Sequence, residues 1–364
     1  MLPREPGDRQ EAETLSRILP VLLKNDRFRR TYSKAWWDKL KSGCAVYGVF
    51  WDNEKLHGLG DVSIRSMDVL NLFWEPGVTD IQESEHFFCT ELVPNNHLVR
   101  RWPELEGKLG RGGAQVSRYL FDDKATFNRL FKDEVNRDWI ELSDELSLED
   151  WKAFLDRNDD LICKPLEGSS GVGIERHTKE EWRGREEAFL QELREKKIGI
   201  VEERVIQHPK MAEMCPTSVN TIRIATLLGD KKQGIVYAFL RIGNGKVMDN
   251  VDQGGMAARI DLESGTLLTV GADKQGNTYT EHPMTHTPII GFQIPYFKEA
   301  CDMCLKAAQK VPQMRFVAWD VAITEKGPVF IEGNSFPSHA IPQFAAHFPD
   351  GIGILPRFEE FIDL

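Results

Sequence analysis

Two runs near the C-terminal end carry the residue types of a metal centre. Arg315-Phe316-Val317-Ala318-Trp319-Asp320-Val321-Ala322-Ile323-Thr324 and Pro328-Val329-Phe330-Ile331-Glu332-Gly333-Asn334 read as the strands of a hairpin joined at Glu325-Lys326-Gly327. A turn centred on Lys326 sets Asp320 directly opposite Glu332. Like charges facing each other across apolar strands repel, and either a shared proton or a cation must answer them. Asn334 lies two residues beyond Glu332, hence on the same face, and adds a third oxygen. Three hard oxygens suit Mg²⁺, which takes few protein ligands and keeps waters and substrate phosphates in its shell. A one-residue shift of the turn would spoil the pairing, leaving a solvated hairpin face.

A second constellation is the apolar strand Leu161 to Lys164 followed by Glu167-Gly168-Ser169-Ser170-Gly171-Val172-Gly173. A lysine closing such a strand is costly to bury unless an anion meets it, and the Gly/Ser run offers backbone N–H groups to phosphate. Together they point to a nucleotide. No Gly-Lys-Ser/Thr closes the glycines, as a Walker A loop requires, and in a protein kinase the glycines precede the lysine strand. With almost no side chain to bury, the loop is expected to be a mobile lid; the alternative is a fixed hairpin turn. Arg223 and Arg241 stand in apolar strands, where a guanidinium needs an internal carboxylate or a bound oxyanion. Asp249 and Asn250, before Gly254-Gly255, either shape a turn or meet a substrate. His282, His286 and His339 read as satisfied loop histidines, and Cys301-x-x-Cys304 as core packing on a helix face shared with Ala300, Ala307, Ala308 and Val311.

The elements that must position these groups alternate along the chain. Helices are expected at 8–24, 27–41, 147–157, 178–196 and 295–310, with another opened by Asp122 or Asp123 as N-cap and presenting Phe127, Leu130 and Phe131 on one face. Strands are expected at Cys44 to Phe50, Leu161 to Lys164, Ile198 to Glu203, 218–228, 234–242, 257–262 and 266–270, besides the hairpin. Long hairpin-linked strands with few helices favour antiparallel α+β layers. The chain has 364 residues and a net charge of −11, so it has ample length for a core and lacks the clustered positive footprint of a nucleic-acid binder. No apolar run approaches the roughly 18 residues of a spanning helix, and Met1 to Glu13 is charged where a signal peptide is apolar. A cytoplasmic protein without membrane insertion is expected.

The strand lysine with its Gly/Ser loop, the strand ending in Glu202-Glu203-Arg204-Val205 and the closing Asp…Glu-x-Asn resemble, in that order, the ATP-grasp superfamily over residues 119–340. Ser218-Val219-Asn220-Thr221-Ile222-Arg223, Arg241-Ile242-Gly243 and Val247-Met248-Asp249-Asn250 look most like its sugar-transfer-associated branch. The resemblance implies an α+β ATP-grasp fold holding ATP between two antiparallel-sheet lobes: 119–205 with the phosphate loop and 206–364 with the metal site, beside a mixed N-terminal domain at 1–118. It implies Lys124 and Lys164 on the phosphates, Gly168 to Gly173 as the flap, and Glu202, Glu203 and Val205 at the adenine. Gln207 or His208 would lie near the ribose, where His208-Pro209 departs from the usual downstream glutamate. It implies Asp320, Glu332 and Asn334 as ligands of Mg²⁺, with Glu332 bridging two ions. Asn220, Asp249, Asn250, Ser335 and Ser338 would face the acceptor substrate, and Arg223 and Arg241 the developing oxyanion. The expected activity is an ADP-forming ligase joining a small-molecule carboxylate to an amine through an acyl phosphate, for instance an amino acid to a sugar acid or surface-glycan precursor. A homodimer is compatible. A phosphotransferase and a nucleotide-binding protein without turnover are the alternatives.

Overall fold

The structure is a computed structural model that describes residues 31–33, 35–36, 46–52, 61–67, 72–74, 87–89, 105, 109, 115–166, 173–245, 249, 251, 254–335, 337 and 340–363. Gly168, Ser169, Ser170, Gly171, Asn250, Ser338 and His339 lie outside the described residues, as do the helix expected at 8–24 and most of that at 27–41. Two compact units divide the chain, Met1–Thr90 and Glu91–Leu364. In the first, β1 (Val46–Asp52) pairs antiparallel with β2 (Asp61–Met67), and β3 (Leu72–Trp74) with β4 (Phe87–Cys89).

The second unit is built on two antiparallel sheets, the α+β arrangement expected. The smaller contains β5 (Trp139–Glu141), β6 (Asp160–Lys164), β7 (Glu175–Thr178) and β8 (Ile200–Glu203) in the order β5-β8-β6-β7. Helices Leu148–Arg157 and Glu186–Glu195 cover it, burying Trp151, Phe154, Phe189 and Leu193 against Leu161, Cys163 and Val201. Ser147 caps the first helix by accepting from the Asp150 N–H. The helix expected over 178–196 is instead two, Lys179–Trp182 and Glu186–Glu195. Gly184, at φ 81, turns the chain between them in a conformation that a helix interior cannot adopt.

The larger sheet contains β9 (Ile222–Leu228), β10 (Gln233–Ile242), β11 (Met256–Arg259), β12 (Gly271–Ala272), β13 (Thr278–Tyr279), β14 (Phe316–Thr324) and β15 (Gly327–Ser335), in the order β13-β12-β11-β10-β9-β14-β15. The strand expected at 266–270 is reduced to the isolated bridges Ile260↔Leu267 and Thr266↔Gln293. Strand alternation sends Ile222, Ile224 and Trp319 to one face, under helix Phe297–Lys310 and its Ala300, Cys304, Ala307 and Ala308. Cys301 and Cys304 are thus the core residues expected, burial pushing the Cys301 thiol up to about 12. The other face sends Ala225, Phe239 and Ala318 under Phe344, Phe348, Phe358 and Phe361 of the C-terminal segment.

Helices Gln115–Asp122 and Lys124–Leu130 also pack on the larger sheet, where Phe121, Phe127 and Phe131 surround Trp319 and Phe330. Asp123 caps the second, accepting from the Thr126 N–H at 2.6 Å. Gly333 admits this cluster to the strand: a Cβ there would lie 2.8 Å from the rings of both Phe121 and Phe127. Helix Pro209–Met214, which the sequence pattern did not suggest, starts on Pro209 with His208 as cap, its Nδ1 accepting from the Lys210 N–H at 3.0 Å. Among the described residues no helix is long and apolar enough to cross a membrane.

Candidate active site

The hairpin reaches its expected pairing by an unexpected route. Thr324 faces Gly327, Ile323 faces Pro328 and Val321 faces Phe330, one residue short of the register that a turn centred on Lys326 would set. A bulge at Ile331 then restores it, and Asp320 faces Glu332 while Ala318 faces Asn334. On its other side Asp320 is beside Arg223 of β9. Arg223 donates through Nε to Oδ1 at 2.7 Å and through Nη2 to Oδ2 at 2.6 Å, and Arg241 through Nη1 to Oδ2 at 2.8 Å. Asp320 is 1% exposed; its burial favours the neutral acid, but the charges of Arg223 and Arg241 outweigh it and hold the carboxyl at about 2. Glu332 goes the other way, raised by burial and then by the charge of Asp320, to which it is hydrogen-bonded. Its side chain is still 47% exposed, so this acid, unlike Asp320, is open to solvent.

The repulsion across the hairpin is therefore answered here by the guanidinium groups of Arg223 and Arg241. Both arginines find internal carboxylates, Arg241 also meeting Asp249 at 3.2 Å. Asp249 accepts from the Thr221 N–H at 2.8 Å and from the Thr221 hydroxyl, which makes it an anchor for Arg241 and the start of β9. Burial raises it. The Nδ2 of Asn334 is buried with no hydrogen-bond partner among the described residues. An amide with an orphaned nitrogen loses little by presenting its oxygen instead, so Asp320, Glu332 and Asn334 fit a hard cation. Among the described residues no three His, Cys, Asp or Glu form a group that could hold a metal ion, so one here would rest on two carboxylates and one amide.

The smaller sheet contributes a second buried acid. Lys164, closing β6, donates to Glu202 Oε2 at 2.6 Å. The same oxygen accepts from Arg137 Nε at 3.1 Å and Nη2 at 2.9 Å, and Oε1 accepts from Asn128 Nδ2 at 2.8 Å. Burial opposes the charge of Glu202, but Arg137 and then Lys164 outweigh it and hold the carboxyl at about 2. Lys124 donates to the Leu166 carbonyl at 3.2 Å; burial lowers its pKa and the charge of Lys164 lowers it further, while Glu332 and Glu202 oppose. The two lysines are thus near neighbours, with the acids of both sheets within electrostatic reach. Arg137 links the sheets, its Nη1 donating to the Phe330 carbonyl of β15. The sequence reading missed it, since Asn136-Arg137-Asp138 looks like any charged turn. Gly173, at φ 74, ends the undescribed part of the glycine loop close over Pro165.

Past β8, the Glu203 N–H goes to the Asp138 carbonyl and the Arg204 N–H to that of Asp160, whereas no hydrogen bond among the described residues takes up the Val205 N–H. The Glu203 carboxylate accepts from the Asp138 N–H at 3.1 Å. His208 donates its N–H to the Ile323 carbonyl at 2.7 Å, and its ring caps the following helix. Asn220, expected at the substrate, is fully buried: its Nδ2 donates to Gln207, Met211 and Cys215, and its Oδ1 accepts from the Gly243 N–H. That amide braces the loop before β9. Ser335 closes β15 opposite Val317, half-buried. His282, buried with Nε2 at 2.8 Å from the Gly243 carbonyl, is the satisfied loop histidine expected, and His286 pairs with Glu281 at the surface.

The family model of the sugar-transfer associated ATP-grasp proteins matches residues 114–361. The chain belongs to that family and has the ATP-grasp fold. Among solved structures it is similar to a D-alanine-D-alanine ligase from Coxiella burnetii, at 15% identity and a TM-score of 0.40, over 67% of this chain and 58% of that one. It is similar also to a D-alanyl-alanine synthetase A from Vibrio cholerae, at 13% and 0.40, over 67% and 63% of the two chains. A biotin carboxylase from Campylobacter jejuni matches at 11% and 0.41, over 73% and 52%. The chain thus spans 58% and 63% of the length of the first two structures. No curated protein matches the sequence.

Proposed function

We propose that the chain is an ATP-dependent ligase that joins a carboxylate to an amine. The observation that carries this reading is the juxtaposition of a lysine pair, Lys124 and Lys164, with an acidic pair and an orphaned amide, Asp320, Glu332 and Asn334. The lysines would hold the phosphates, and the Gly168 to Gly173 loop would close over them and exclude water. The Val205 N–H is free to donate to an adenine nitrogen. In this reading residues 119–205 and 206–364 are the two lobes around the nucleotide, and 1–118 is a further domain. Mg²⁺ held by Asp320, Glu332 and Asn334 would neutralise phosphate charge and polarise the transferred group.

The acceptor carboxylate oxygen attacks the γ-phosphorus, ADP leaves, and the amine then displaces phosphate from the acyl carbon. Arg223, partly open beside Glu332, can stabilise the oxyanion of the second step while Asp320, itself held by Arg241, keeps it in place. No covalent protein nucleophile is required, and the thiols of Cys163 and Cys301, pushed by burial up to about 12, supply none at neutral pH. The family's link to sugar transfer supports an amino acid or small amine and a sugar acid or glycan precursor as substrates. The test is ATP turnover against a panel of amino acids with uronic acids, reading ADP and phosphate together. Equal release of both, dependent on both substrates, is expected. A phosphorylated acceptor without inorganic phosphate would replace the ligase with a phosphotransferase, and absence of ATP binding would overturn the site.

A further inference from the structure

Glu202 has more cations than it can neutralise. One carboxylate, 4% exposed, holds both Arg137 and Lys164, whose side chains are 4% and 10% exposed, so water screens none of the three well. Lys124 adds another positive charge alongside. Arg137 has the stronger grip on the acid, because two of its donors, Nε and Nη2, converge on Oε2. Its remaining nitrogen donates to the Phe330 carbonyl, two residues before Glu332. A planar guanidinium with five donors can hold a carboxylate and a carbonyl at once, which an ammonium group cannot do in that fixed geometry.

We infer that Arg137 is a positioning residue for the nucleotide phosphates: by neutralising Glu202 it frees Lys164 to turn its charge toward an anion, and by holding Phe330 it fixes that lysine's sheet against the strand bearing Glu332. The inference rests on Lys164 being the phosphate lysine. Arg137 itself need not touch the nucleotide. Without it, Glu202 would share its whole charge with Lys164, and a phosphate would have to compete for the ammonium group.

Calorimetric titration with a non-hydrolysable ATP analogue, and with adenosine as the phosphate-free control, tests this. Arg137→Met should weaken the analogue by about tenfold or more and leave adenosine unchanged. Adding Glu202→Gln to that variant should restore most of the analogue affinity, because no carboxylate then detains Lys164. Arg137→Lys should stay within about threefold of wild type for the analogue, while its melting temperature falls with loss of the Phe330 bond. Equal losses for both ligands, or no recovery in the double variant, would overturn the inference. If Arg137→Met does not fold, Glu202→Gln alone should tighten the analogue, and unchanged or weaker binding would overturn it too. A wild-type protein that binds neither ligand defeats the ATP reading itself; one that binds the analogue no better than Arg137→Met does defeats only the role of Arg137.

Discussion

Each sheet of the second unit buries an acid among cations, but the balance differs. Around Glu202 one carboxylate faces Arg137 and Lys164, with Lys124 nearby, and the excess is positive. Around Asp320 the carboxylates of Glu332 and Asp249 join it against Arg223 and Arg241, so the excess becomes negative once Glu332 ionises. In the proposed reading, the same ingredients in different ratio would suit one cluster to an anion and the other to a cation. Local stoichiometry inside a poorly screened network decides this, and the chain's overall charge of −11 says nothing about it.

The sharpest way to break the comparison is Glu332→Gln. Glutamine removes the charge that burial and Asp320 disfavour at Glu332, so the ligand-free variant should melt no lower than wild type, yet it cannot supply the anion that a bound cation would need. Turnover should fall by about a thousandfold or more. A variant that turns over normally, or that unfolds, would show that the acidic pair serves packing and not a metal.

Lys164→Met probes the opposite seat. Arg137 still neutralises Glu202 in that variant, so the fold should survive, while loss of the ammonium costs about 2–4 kcal/mol of transition-state stabilisation. Lys124→Met should cost less, since that lysine holds the Leu166 carbonyl and its burial and neighbour already weaken its charged form. Single-turnover rates on the two variants rank them; equal and negligible losses would move the phosphates elsewhere.

A further effect is on stability in acid. Glu202 is held at about 2 against an ordinary 4.5, so its contribution is complete above pH 4.5 and is lost as pH falls toward 2. The loss is on the order of 3 kcal/mol. Urea unfolding across that range should show a shallower slope in Glu202→Gln, by one proton, with Asp320 still supplying its own. An unchanged slope would mean that Glu202 is not the charged partner of Arg137.

Much of the fold was legible because it rests on local patterns: Asp122 or Asp123 before an apolar run, the alternation of β14, the small-residue stripe from Ala300 to Val311. The opposition of Asp320 and Glu332 was legible too, although two displacements of one residue, in the turn and at Ile331, cancel to produce it. Where reading stopped, the determinant was distant in sequence or silent in composition. Arg137 and Glu202 are 65 positions apart, and nothing in either segment names the other. Asn220 was expected at the substrate from the family resemblance, but its hydrogen-bond partners come from the helix and loops packed over it. The break at Gly184 was hidden by charged neighbours that suit a helix on either side.

The missing side chain at Gly333 ties the history of distant positions together. With both phenylalanine rings 2.8 Å from where a Cβ would stand, position 333 cannot grow unless Phe121 or Phe127 shrinks. Neither ring can shrink alone without leaving a hole beneath the strand that presents Glu332 and Asn334. The three positions can therefore change only together, and the packing of both helices on β15 is tied to the strand that carries Glu332 and Asn334.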